Sequence, residues 1–261
     1  MSVPPCLCRS PAQISGMAKD VQNKTTKQPK ARDASQSSDI ANFLQKASTL
    51  GKKTGGNGGL IFALDATMSR QHTWDQAQQI QASMFDAVGK TGGLDVQLVY
   101  FRGFGECRAS RWVADTASLR TLMTGIECRG GQTQIGKVLS HARKEAKKKN
   151  PVNPDRSRVD ALVFVGDAME EDIDQLCNQA GQLGLLGVPC FMFQDGNDPH
   201  TERAFREISR LSGGAFIRFG AGSAARLAEL LRAVASFVAG GAAALEANGS
   251  REARLLLSQM K

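Results

Sequence analysis

From Leu60 onward, short apolar runs of strand length alternate with longer stretches of helical periodicity. That alternation confines the chain to an α/β fold with a mainly parallel sheet and helices on both faces. The pattern predicts strands over 60–64, 95–101, 106–113, 161–165, 189–193 and 215–219. Helices are predicted over 74–88, 118–123, 133–149, 173–183, 202–211 and 223–237. Tyr100 and Glu106 are separated only by a short turn containing Gly103-Phe104-Gly105. A parallel crossover needs about a dozen residues or more, so the 106–113 strand is expected to return antiparallel along one edge.

Flanking segments differ in composition. Residues 1–37 are rich in Lys, Gln, Ser, Thr and Pro and poor in large apolar residues, so a disordered basic tail is expected. Ser38-Asp39 reads as a helix start, and Ile40, Phe43, Leu44 and Ala47 follow at the spacing of one helical face. Gly51 to Gly59, with five glycines and two lysines, reads as a connector. The organisation is therefore a tail (1–37), a short helix and Gly-rich connector (38–59), the main domain (60–239) and a C-terminal helical extension (240–261). Leu245, Leu255, Leu256, Leu257 and Met260 supply the apolar side of that extension.

The net charge is +8, but residues 151–240 hold 8 basic against 12 acidic residues, so the excess lies in the first half of the chain. The basic tail and Lys144, Lys147, Lys148 and Lys149 make nucleic-acid binding an alternative to weigh. Aromatic residues interleaved with those charges, which stacking on bases requires, are missing, and a solvated tail is the better reading. No stretch reaches the roughly 18 uncharged apolar residues of a membrane span, Ala233 to Leu245 being the longest candidate, so no membrane contact is expected. Cys107, Cys128, Cys177 and Cys190 are spread singly, without the paired spacing of a zinc site, and read as buried thiols. A reducing, cytoplasmic setting is expected.

Three loop segments carry the chemistry. Asp65-Ala66-Thr67-Met68-Ser69 follows the first strand, Thr133 stands behind Gly130-Gly131, and Asp167 closes the 161–166 run. In an open sheet of order 3-2-1-4-5-6, ligands collect beyond the strand ends where the order reverses, here between the strands ending at Asp65 and Asp167. Two carboxylates about 6 Å apart at an effective dielectric of about 20 repel by roughly 3 kcal/mol. A divalent cation removes that cost, and the hydroxyls of Thr67, Ser69 and Thr133 add neutral oxygen ligands suited to magnesium. No histidine or thiolate is offered there, which disfavours zinc and copper.

This set resembles the metal-ion-dependent adhesion site (MIDAS) of the von Willebrand factor A (VWA) domain family, whose pattern is Asp-x-Ser-x-Ser, then Thr, then Asp. The matching positions are Asp65, Thr67 and Ser69, then Thr133, then Asp167; Thr67 departs from the pattern by replacing the first serine. The resemblance spans roughly Leu60 to Phe237 and implies a Rossmann-like three-layer fold. It also implies Mg2+, with Mn2+ or Ca2+ as alternatives, and a protein partner that supplies an acidic residue to the metal. Intracellular bacterial members act as adaptors or scaffolds, some beside AAA+ type ATPases of the chaperone class, and few members are enzymes. Glu170 is the candidate for a supporting role among Glu170, Glu171, Asp172 and Asp174, a run expected otherwise to stabilise its own helix start. His72 and Gly131 are candidates for ligand contact.

Two sharper-looking alternatives fall short. A magnesium-dependent phosphohydrolase of the haloacid dehalogenase kind also starts from a strand-end Asp, but it needs a second Asp two residues on, where Thr67 stands. Gly220-Ala221-Gly222-Ser223-Ala224-Ala225 fits a dinucleotide fingerprint, yet that motif belongs in a first βα unit and this one lies in the last.

Overall fold

The computed structural model describes residues 57–71, 94–155, 157–220 and 224–260. The chain divides into units Met1–Gln45 and Lys46–Lys261, and the described residues fall in the second. The tail, the helix expected over 38–47 and the helix expected over 74–88 lie outside them.

The sheet has six strands in the order β3-β2-β1-β4-β5-β6. Their ranges are β1 Gly58–Asp65, β2 Leu94–Arg102, β3 Glu106–Val113, β4 Ala161–Gly166, β5 Cys190–Asp195 and β6 Phe216–Phe219. All neighbours pair in parallel except β2 and β3, which are antiparallel. The mixed sheet and its order match the sequence expectation, and the reversal falls between β1 and β4. The helices are α1 Thr116–Thr124, α2 Ile135–Ala146, α3 Ile173–Leu185, α4 Pro199–Ser212, α5 Ala224–Asn248 and α6 Arg251–Leu257.

Strand periodicity separates two cores. Leu60, Phe62 and Leu64 of β1 point to one face with Leu119 of α1, Leu230 and Val234 of α5 and Leu256 of α6. Ile61 and Ala63 point to the other with Leu139 of α2, Leu176 of α3 and Phe205 of α4. Burial of both faces explains why the central strands read as unbroken apolar runs rather than alternating ones. Phe164 anchors the second core, stacked on Phe101 at 6.0 Å and edge-on to Phe205 at 5.5 Å between ring centroids.

Several boundaries differ from expectation for identifiable reasons. Gly58 and Gly59 belong to β1, not to the connector. A Cβ on Gly59 would lie 1.8 Å from the Arg158 carbonyl, so this end of the strand needs a residue without a side chain. Helix α5 runs well past Phe237 and breaks only at Gly241, where φ is 71°. By length and composition it is apolar enough to span a membrane, unlike the short segment expected. Leu227, Leu230, Leu231, Val234, Val238 and Leu245 nevertheless pack into the first core, which accounts for that composition. Leu245 belongs to α5, and the terminal helix α6 is capped by Ser250, whose hydroxyl accepts the Ala253 N–H. Gln259 beyond it accepts the Phe216 N–H of edge strand β6 at 3.0 Å.

The thiols divide. Cys128 and Cys190 are buried as expected, and Cys107 and Cys177 are half-buried. Burial pushes the Cys190 thiol up to about 12. His141 sits half-buried with Nε2 2.8 Å from Gln97 Oε1, and burial lowers its pKa.

Candidate metal centre

The chain leaves β1 at Asp65 and turns at once. Asp65 is fully buried, and its Oδ1 accepts the Thr67 N–H at 2.8 Å, an Asx-type turn that fixes the loop. The turn sets Thr67 Oγ1 3.0 Å from Ser69 Oγ. A 3-10 turn, Met68–Arg70, follows, closed by the Arg70 N–H on the Thr67 carbonyl at 3.1 Å. Arg70 folds back into the protein, 1 % exposed, and its guanidinium pairs with the carboxylate of Asp195 at the end of β5. Sequence reading passed over this pair, which ties the loop after β1 to a strand two places away in the sheet.

Thr133 is placed by a reciprocal pair of bonds. Its N–H donates to Glu170 Oε2 at 3.0 Å, and its Oγ1 accepts the Glu170 N–H at 3.0 Å. The hydroxyl keeps a second lone pair for a ligand. Glu170 thus holds Thr133 in place. In the rest of the acidic run, Asp172 and Asp174 stand at the start of their own helix as expected, and Glu171 alone departs. Glu171 does not serve its own helix: its two oxygens accept the Ile135 and Gly136 N–H groups at 2.6 and 2.8 Å, at the first turn of α2. Asp172 alone caps α3, accepting from Asp174 and Gln175.

Gly131 has a packing reason. A Cβ there would lie 2.2 Å from the Gly103 carbonyl, because the 130–133 loop is pressed against the β2–β3 turn. Gly131→Ala must push these backbones apart; the expected cost is about 1–3 kcal/mol in urea unfolding, with weaker metal response. An unchanged midpoint would show that the contact yields freely.

Thr67, Met68, Ser69, Gly130, Gly131, Thr133, Ala168 and Glu170 line one cleft of about 300 Å³. Asp65 and Asp167 lie at the adjacent ends of β1 and β4, with the Gly166 backbone against the Asp65 side chain. Asp65 Oδ2 and Asp167 Oδ1 are buried, and among the described residues neither has a hydrogen-bond partner. Buried polar atoms are nearly always paired, and a charged one left alone costs several kcal/mol. Burial pushes the Asp65 carboxyl from 3.8 up to about 6, opposed by the bonds from Thr67 and reinforced by the charge of Asp167. Among the described residues no group of three or more His, Cys, Asp or Glu side chains is gathered for a metal. The donors are instead two carboxylates and three hydroxyls, a set that fits a hard divalent ion. His72 lies outside the described residues.

The architecture is shared. No known family's sequence profile matches the chain, and no curated protein matches it in sequence. Solved structures do. A von Willebrand factor type A protein from Catenulispora acidiphila superposes with a TM-score of 0.54 at 16% identity, over 71% of this chain and 43% of that one. The fold is that of VWA domains. The SpRpn10 VWA domain matches with a TM-score of 0.53 at 11% identity, over 69% of this chain and 94% of that domain. The mussel byssus proximal thread matrix protein 1, in a structure with a zinc-occupied MIDAS motif, matches with a TM-score of 0.52 at 16% identity, over 76% and 51% of the two chains. This chain therefore spans about half or less of two of these three proteins.

Proposed function

We propose that this VWA-type domain holds a divalent cation, magnesium first, and docks the carboxylate of a protein partner on it. The hydroxyls of Thr67, Ser69 and Thr133 would bind the ion, with Asp65 and Asp167 acting directly or through water. The observation that carries this reading is the pair of buried, unpartnered oxygens, Asp65 Oδ2 and Asp167 Oδ1, at adjacent strand ends beside a hydroxyl-lined cleft. A cation satisfies both at once. The zinc held at the MIDAS motif of the mussel protein supports a divalent ion on this fold, and manganese or calcium would suit the same oxygens.

The proposed role is binding rather than catalysis. A phosphohydrolase of the haloacid dehalogenase kind requires an acid where Thr67 stands, and the Thr67 hydroxyl is engaged with Ser69 instead. The resemblance to intracellular bacterial VWA proteins, rather than the geometry, adds the further expectation of a cytoplasmic adaptor, with an AAA+ type ATPase as one class of partner.

Magnesium at 100 times its dissociation constant should stabilise the wild type by about 2.7 kcal/mol. Asp167→Ala, which removes one of the two unpartnered oxygens, should show no such gain. Equal melting shifts in both proteins would rule the site out.

A further inference from the structure

Large apolar side chains exposed on this surface are few: Met68, Phe104, Val152, Leu185 and Leu186 among the described residues. Two of the five adjoin the metal cleft. Met68, 54 % exposed, lines it, between the two hydroxyl-bearing residues Thr67 and Ser69. Phe104, 86 % exposed, is the tip of the β2–β3 turn, flanked by Gly103 and Gly105 in left-handed backbone (φ 62° and 119°).

That turn is fastened to the loop that carries Thr133. The Gly103 carbonyl accepts the Gln132 N–H at 3.3 Å and Gln134 Nε2 at 3.2 Å, and the Gly105 carbonyl accepts Lys137 Nζ at 2.9 Å. Phe104 is therefore an exposed aromatic ring on a braced turn, one residue from the close contact between Gly103 and Gly131 of the cleft. An aromatic anchor presented on a rigid support loses little freedom on binding, the property that concentrates binding energy in a few residues. Met68, flexible and polarisable, can shape itself to what lies beside the ion.

Charge selects the occupant. On the β2–β3 side of the cleft the exposed Arg129 is bridged to Thr67 along the backbone and the exposed Lys137 reaches the Gly105 carbonyl beside Phe104, whereas Arg108 is paired with Glu106. Glu170 and Asp172 lie on the opposite, β4 side.

We propose that the cleft, Met68 and Phe104 form one docking surface for an extended acidic segment of a partner protein. The segment places a carboxylate on the metal and a large apolar side chain, one or two residues away, against Phe104. It runs from the ion toward the basic β2–β3 side. The inference rests on the metal reading above and adds the residue that selects the partner.

The test uses the full chain, immobilised with magnesium, against a random heptapeptide phage library eluted with chelator. Enriched peptides should carry Asp or Glu with Phe, Leu, Ile, Met or Trp within two positions. A synthetic peptide of the enriched sequence should bind Phe104→Ala about tenfold or more weakly than wild type. It should bind Val152→Ala, altered at an apolar residue exposed near the other end of β1, as tightly as wild type. Enrichment of acidic peptides with no apolar neighbour, equal affinity for Phe104→Ala, or no chelator-eluted peptide overturns the proposal. Magnesium stabilisation of the wild type, measured on the same preparation, separates the two failures. If it is present the docking inference alone falls; if it is missing the metal reading falls with it.

Discussion

Asp65→Asn should make the metal-free protein more stable at pH 8 by about 2–3 kcal/mol, while abolishing its response to magnesium. Burial pushes the folded-state carboxyl from 3.8 up to about 6, and each unit of such a shift is worth about 1.4 kcal/mol. Below pH 4 Asp65 is protonated in the folded and unfolded chains alike and costs nothing. Between pH 4 and pH 6 the folded state binds more protons than the unfolded one, so stability falls as pH rises, and above pH 6 the full cost is present. Asparagine carries no charge at any of these pH values, and its carbonyl can still accept the Thr67 N–H that Oδ1 now accepts. The decline between pH 4 and 6 should therefore flatten in the variant. Magnesium offsets the same cost in the wild type by favouring the ionised carboxylate. Its affinity should weaken below pH 6, where protons compete for Asp65. Urea unfolding at pH 5 and pH 8, in chelator and in magnesium, reads all four quantities. A variant less stable than wild type at pH 8 in chelator, or one that still gains from magnesium, would contradict this account.

The parts of the molecule legible in sequence are those whose cause is local. The β3 strand is read at its full extent because Gly103-Phe104-Gly105 and the short connection dictate it. The central strands are visible because both faces are buried, and the loop from Asp65 to Ser69 because a carboxylate and two hydroxyls follow a strand directly. What escaped the sequence is set by residues far apart in the chain. Glu171 alone of the acidic run after Asp167 serves a distant helix, the one that begins at Ile135, and nothing in the local sequence separates it from Asp172, which caps its own. Gly58 and Gly59 looked like linker because the Arg158 carbonyl that crowds Gly59 is invisible in the local sequence. Arg70 reads as an ordinary loop cation, its partner 125 residues away. One signal for it existed: Asp195 ends an apolar strand, where a buried carboxylate needs a counter-charge.

Arg70→Met should then be among the most damaging single substitutions in the described structure, costing about 3–5 kcal/mol. Both partners are nearly sealed from water, with side chains 1 % and 8 % exposed, so removing the guanidinium leaves Asp195 buried and uncompensated. The effect should reach the metal loop. Arg70 closes the 3-10 turn that carries Met68 and Ser69, and its charge helps to hold down the Asp65 carboxyl, which should rise further without it. Magnesium affinity at pH 7 should fall in the same variant. Asp195→Leu in the Arg70→Met background removes the stranded charge, and replacing a buried ion pair by apolar groups of similar size is often neutral or better. The double variant should recover most of the lost stability, whereas magnesium affinity, which depends on the Arg70 charge, should recover less. Urea unfolding of the wild type, both single variants and the double variant closes the cycle. A loss below about 1 kcal/mol for Arg70→Met, the range of an exposed ion pair, would show that water reaches Asp195 and that the pair does not brace the site.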